Sequence, residues 1–181
     1  MTDFYTYRLL NELQYQELES THAPEAVRSL LCAQLQISYE NERKQKIIGD
    51  FLFYGYAFCK EHAFNCEKTC CFLSILCTLF FQDTESKSAA STIRSSYEWF
   101  QATLKRHCVD LIPKSIKVFE ELEARYILDY VMDSYYRHYR LYKYIFGNKV
   151  RLQIQQVLPQ QVEIPGRVTL SSLNTAIMKT E

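Results

Sequence analysis

The chain has 181 residues, enough to bury one hydrophobic core without disulfide or metal staples. Its 21 basic and 21 acidic side chains cancel, which argues against a dedicated duplex-DNA or RNA binder, whose backbone contacts need a cationic excess. Glycine and proline number four each, too few for the turns of a sandwich or barrel, so long helices are expected. No basic region followed by an apolar one opens the sequence, so no secretory signal is read. The longest apolar run, Cys70 to Phe81, is short for a bilayer span and is interrupted by Ser74 and Thr78. Seven cysteines, an odd number without a secreted spacing, are expected as reduced intracellular thiols. The expectation is a soluble all-α protein, a compact bundle of about five to six helices with an extended C-terminal tail.

Residues 1–24 mix aromatic and polar groups and read as an N-terminal arm, with Leu9, Leu10, Leu13 and Leu18 spaced for a short helix. Pro24 suits the first position of a helix from Glu25 to about Tyr39, with Ala26, Leu30, Ala33 and Ile37 on one stripe. Asn41 is placed to cap the next helix, which runs through Ile48, Phe51 and Phe58 to about His62. Gly49 and Gly55 interrupt it and mark the close approach of a neighbouring helix. Asn65 caps a further helix to about Gln82, with Glu67 in its first turn, where the dipole favours a carboxylate. That helix is almost wholly apolar after Lys68 and reads as the central core helix, paired with 42–62 in an antiparallel hairpin.

The small polar residues 83–92 read as a loop. Ile93, Tyr97, Phe100 and Leu104 then recur at helical spacing to about His107, on a helix that also carries Trp99. Pro113 breaks the chain, and Ser115 is the expected cap of a helix that starts with Ile116, Val118 and Phe119. The pattern stays helical from Glu120 to Phe146, roughly 40 Å if unbroken at 1.5 Å per residue. Gly147 reads as the residue past its end and Asn148 as part of the turn. Residues 153–181, with Pro159, Pro165 and Gly166, read as an extended tail, which leaves 25–152 as the helical domain. No internal repeat or heptad run of useful length is present.

Chemistry is concentrated between Tyr135 and Tyr144. Tyr135, Tyr139, Tyr142 and Phe146 line one face of a helix, while Tyr136, Leu141 and Tyr144 occupy others. A helix that is apolar nearly all round is enclosed by its own domain or clamped by a partner, and tyrosine suits both roles. The candidate partner-binding residues are therefore Tyr135, Tyr136, Arg137, His138, Tyr139, Arg140, Tyr142, Lys143, Tyr144 and Arg151. Cations interleaved with rings also fit single-stranded nucleic acid, the alternative reading, or a basic helix for a calmodulin-type partner. Cys66, Cys70 and Cys77 share a face after His62, but they lie in the most apolar helix, where cysteine acts as a small hydrophobe, so no metal is assigned. Without a nucleophile elbow, a phosphate-cradling glycine loop or a His-Glu-x-x-His pair, His138 is not read as a general base, and no catalytic residue or cofactor is assigned. Asp129 and Asp133 read as solvated, or as matched to Arg125 and Arg137 four residues away.

The strings Ser115-Ile116, Phe119, Tyr130, Tyr136-Arg137-His138-Tyr139, Leu141-Tyr142-Lys143-Tyr144-Ile145-Phe146 and Val150-Arg151-Leu152 resemble the C-terminal part of a known family. It is the cilia- and flagella-associated protein 119 family, also called coiled-coil domain-containing protein 189. Phe53-Tyr54, Glu61, Phe64, Glu67 and Leu73-Ser74-Ile75 resemble that family's earlier helix pair, so the likeness covers about 50–152. The resemblance implies a non-enzymatic structural adaptor of the motile cilium or flagellum axoneme. Its implied place is the central-pair apparatus, in the a projection of the first central microtubule. The implied partners are a large scaffold protein resembling sperm-associated antigen 17, other small projection subunits and calmodulin, with no nucleic acid and no membrane.

Overall fold

A computed structural model describes residues 4–85, 92–111 and 114–147; Pro113, Asn148, Arg151 and the expected tail at 153–181 lie outside them. Among the described residues run seven α-helices: α1 Glu12–Ser20, α2 Pro24–Gln34, α3 Glu42–Glu61, α4 Cys66–Glu85, α5 Ile93–Arg106, α6 Glu121–Ser134 and α7 Tyr139–Phe146. A 3-10 turn, Tyr136–His138, separates the last two. No described helix is long and apolar enough to cross a membrane.

The fold is all-α, built around α4, which packs against α1, α3, α5 and α7. Residues Thr69 to Cys77 are buried without interruption, so this helix is enclosed on every side. Three of its hydroxyls are accommodated by bonding the carbonyl one turn back: Ser74 to Cys70 at 2.7 Å, Thr78 to Ser74 at 2.8 Å and Thr84 to Phe80 at 2.7 Å. Of its cysteines, Cys70, Cys71 and Cys77 are buried and Cys66 is half-buried, and burial pushes the Cys70 thiol up to about 12, far from nucleophilic thiolate. Among the described residues no His, Cys, Asp and Glu side chains cluster in a way that could hold a metal.

Local signals set most helix starts. Pro24 opens α2, the Asn41 side-chain Oδ1 accepts from Arg43 and Lys44 N–H to open α3, and Asn65 Oδ1 accepts from Lys68 N–H at 2.9 Å to open α4. The ends are set differently. Helix α2 stops at Gln34, short of the expected Tyr39, because Gln36 turns left-handed at φ 55°. Gln36 N–H then reaches the Ala33 carbonyl and Ile37 N–H the Cys32 carbonyl, the paired bonds of a Schellman stop. Ala63, at φ 52°, ends α3 in the same way through Lys60 and Cys59. The α3–α4 hairpin closes behind it, and Gly55 marks the tight contact: a methyl there would lie 2.8 Å from Leu76 Cδ1.

The residues at the amino end are part of this core. The expected short helix is α1, and Tyr5, Leu10, Tyr15 and Leu18, from the stretch read as an arm, lie in the common buried cluster. Lys68–Glu123 at 2.6 Å and Arg28–Asp50 at 2.6 Å join α4 to α6 and α2 to α3.

Two expectations are corrected here. Ser115 caps no helix; it forms an isolated bridge with Leu111, and the chain stays extended until Glu120 N–H, bonded to Glu123 Oε2 at 2.8 Å, opens α6. Helix formation at 115–120 is forestalled because those amides bond elsewhere. Ile116 N–H goes to the Arg106 carbonyl, and Val118 and Phe119 N–H both go to the His107 carbonyl. In addition, α4 does not give way to a loop at Asp83 but continues through Glu85.

His107 is a buried junction. Its Nδ1–H donates to the Thr103 carbonyl at 2.8 Å, which leaves Nε2 to accept from Tyr5 N–H at 3.2 Å. Burial, with Arg106 nearby, holds the imidazole below its ordinary 6.5, so the unfolded chain takes up this proton first. The stability of the neutral ring is therefore complete above about pH 6.5 and is lost below it, at up to about 1.4 kcal/mol per pH unit. Urea midpoints should fall more for the wild type than for His107→Gln between about pH 7.5 and pH 5. Parallel profiles would contradict this assignment.

Candidate interaction surface

The tyrosine-rich segment divides into a buried and an exposed set. Tyr135 is fully buried, and Tyr136 and Tyr139 are buried beside it. Tyr135 O–H donates to Asp83 Oδ2 at 2.8 Å, and Ser96 O–H donates to the same oxygen at 2.6 Å. With the Ser96 proton so engaged, the 3.1 Å contact between Ser96 Oγ and Tyr136 Oη requires the Tyr136 hydroxyl to donate. Two adjacent tyrosines thus converge, one directly and one through Ser96, on a carboxylate at the end of α4. Burial and the neighbouring Asp83 push the Tyr135 phenol strongly upward, so it remains a donor. A buried acid is tolerated here because its Oδ2 meets two hydroxyl protons.

This arrangement interrupts the long helix. The expected continuous helix from Glu120 to Phe146 does not form: α6 ends at Ser134, the 3-10 turn intervenes and α7 starts at Tyr139. No glycine or proline marks the break, which falls at the residues tied to Asp83 and Ser96. Helix α7 then lays Tyr142 and Phe146 on Phe80, with ring centroids at 5.7 and 4.9 Å, while Tyr142 stacks on Tyr135 at 5.7 Å. The helix ends at Phe146 with Gly147 after it, as expected.

The other face of the segment points to solvent. Arg137, His138, Arg140, Leu141 and Tyr144 are exposed, Tyr144 to 77%. Lys143 is half-buried, with its ammonium 5.7 Å above the Tyr139 ring. His138 Nδ1–H donates to the Ser134 carbonyl at 2.9 Å. Asp129 and Asp133 are exposed, and Arg125 pairs with Glu121 at 3.1 Å rather than with Asp129. Of the ten candidate residues, three are core, Tyr142 and Lys143 line its edge, four are outward-facing, and Arg151 lies outside the described residues.

The CLAMP family profile, described as flagellar C1a complex subunit C1a-32, matches residues 54–154, more than half of the chain. The chain belongs to this family. The C1a-32 region includes α4, α5, α6 and α7 and the whole Asp83–Ser96–Tyr135–Tyr136 network, while α1 and α2 precede it. Membership places the chain in the cilium or flagellum, at the central apparatus of the axoneme, among other subunits of the central-pair projections.

Sequence reasoning located the tyrosines but missed Asp83 and Ser96. Asp83 opens the stretch that reads as a polar loop, and a single acid after an apolar run carries no signal that it is buried. Only the tertiary approach of α5 and of the 3-10 turn identifies it.

Proposed function

We propose that this chain is a non-enzymatic structural adaptor of the C1a projection of the first central microtubule, a member of the cilia- and flagella-associated protein 119 group within the C1a-32 family. The family match carries this reading, and the two-sided tyrosine segment supports it. Buried rings fix α7 rigidly against α4, and the fixed helix presents Arg137, Arg140, Leu141 and Tyr144 outward. Tyrosine and arginine are the residue types most enriched where protein interfaces concentrate their energy. The partners in this reading are a large scaffold resembling sperm-associated antigen 17, other small projection subunits and calmodulin. The mechanical role is to stiffen the projection and pass contact between the central pair and the radial spokes that regulate beating.

The test is detergent extraction of ciliated cells that express the tagged chain, with mass spectrometry of the proteins that co-purify. Retention on the axoneme with central-pair proteins is the expected result. Release into the soluble fraction, with salt-sensitive binding to single-stranded nucleic acid, would overturn the adaptor reading.

A further inference from the structure

The segment from α6 to α7 carries an exposed stripe in which acids precede bases. Tyr126, Asp129, Asp133, Arg137, Arg140 and Tyr144 follow one another at spacings of three and four, and all six are exposed. The 3-10 turn does not end the helical course, since bonds one turn back continue up to it and through it. Ser134 O–H donates to the Tyr130 carbonyl at 2.6 Å, Tyr135 N–H to the Val131 carbonyl at 3.0 Å and His138 Nδ1–H to the Ser134 carbonyl at 2.9 Å. At 1.5 Å per residue the stripe is about 27 Å long.

The helices that carry these charges do not account for them. Asp133 stands in the last turn of α6 and Arg140 in the first turn of α7, the ends at which the helix dipole disfavours each sign. Asp133 and Arg137 are four residues apart, a spacing that suits a pair on one helix. Yet among the described residues neither they nor Asp129 and Arg140 form an ion pair. The acids at the start of α6 behave differently: Glu121 is held by Arg125 at 3.1 Å and Glu123 by Lys68 at 2.6 Å. The unpaired charges are flanked by two large exposed rings, Tyr126 at 48% and Tyr144 at 77%.

The order of the stripe is its own complement. Turned end to end about a point beside Tyr135, Asp133 falls opposite Arg137 of a second copy, Asp129 opposite Arg140 and Tyr126 opposite Tyr144. The reciprocal contacts repeat the same set, as a two-fold axis requires. We propose that this stripe is a homodimerisation surface, on which two copies pair antiparallel with acid against base and ring against ring. One helix face is smaller than a standard interface, so the dimer is weak and reversible. The proposal deepens the adaptor reading by naming a second copy as a partner of the outward face. It rests on that reading only for the role of the face, and its test uses no axoneme, so the two fail separately.

Sedimentation velocity of the full chain over a concentration series should show a monomer–dimer equilibrium that weakens with added salt. The double variant Asp129→Arg, Asp133→Arg makes the stripe wholly basic, and Arg137→Asp, Arg140→Asp makes it wholly acidic. Each alone sets like charges opposite one another and should dimerise at least about tenfold more weakly than the wild type. Mixed together, the two should form a heterodimer, a recovery that loss of folding could not produce. A wild type that stays monomeric throughout overturns the proposal, including one whose stripe engages only a different protein. So do open-ended oligomers, double variants that dimerise as well as the wild type, or a mixture without heterodimer.

Discussion

Tyr135→Phe should destabilise the domain by about 1–3 kcal/mol, and Tyr135→Ala by about 3–5 kcal/mol. The first substitution keeps the ring, which is fully buried among Phe51, Tyr136 and Tyr142, and removes only the hydroxyl. Its loss deprives Asp83 Oδ2 of one of two hydroxyl donors in a site with little access to water, and an acceptor left short there costs far more than at the surface. The second substitution adds a cavity the size of the ring. Against a typical total of about 5–15 kcal/mol, Tyr135→Ala removes a third of the stability or more. Urea denaturation of both variants checks this. A Phe variant indistinguishable from the wild type would show that the hydroxyl contributes nothing to Asp83.

Phe80→Ala is the second large effect, expected at about 3–5 kcal/mol with selective loosening of α7. Phe80 is fully buried on α4 and touches Phe51, Phe81, Tyr142 and Phe146. Two of these four rings belong to α7, a helix of eight residues that is too short to hold itself together in water. Its order depends on the surface that Phe80 supplies. Amide exchange should therefore accelerate in 139–146 beyond what global destabilisation explains, while the α3–α4 hairpin keeps its relative protection. Uniform acceleration across all helices would contradict this dependence.

How far the sequence reveals the fold depends on whether the deciding interaction is local. Pro24, Asn41 and Asn65 act within one helical turn, so the starts of α2, α3 and α4 are legible in the chain. The apolar run of α4 likewise identifies the core helix without reference to anything else. The stop of α2 at Gln36 is not legible, because glutamine does not ordinarily take the left-handed conformation that glycine favours, whereas α3 ends at Glu61, beside the expected His62. Residues 115–120 carry a helical pattern, yet their amides are claimed by carbonyls at the end of α5. The break at Tyr136 has the same character, since Ser96 lies 40 positions from the Tyr136 it meets and Asp83 lies 52 positions from the Tyr135 that bonds it.

The site shows the same division. Tyrosine density marks the segment, but only packing separates Tyr135, Tyr136 and Tyr139, which build the domain, from Arg137, Arg140 and Tyr144, which face outward. A variant of one set should affect folding, and a variant of the other should affect association.

The measurement that tests this division most directly is axonemal retention of the triple variant Arg137→Ala, Arg140→Ala, Tyr144→Ala beside the wild type, with urea midpoints recorded for both. The account predicts an unchanged midpoint, within about 0.5 kcal/mol for each exposed substitution, together with release from the detergent-extracted axoneme. A triple variant that folds normally and stays on the axoneme would contradict the claim that this face holds the chain in its projection.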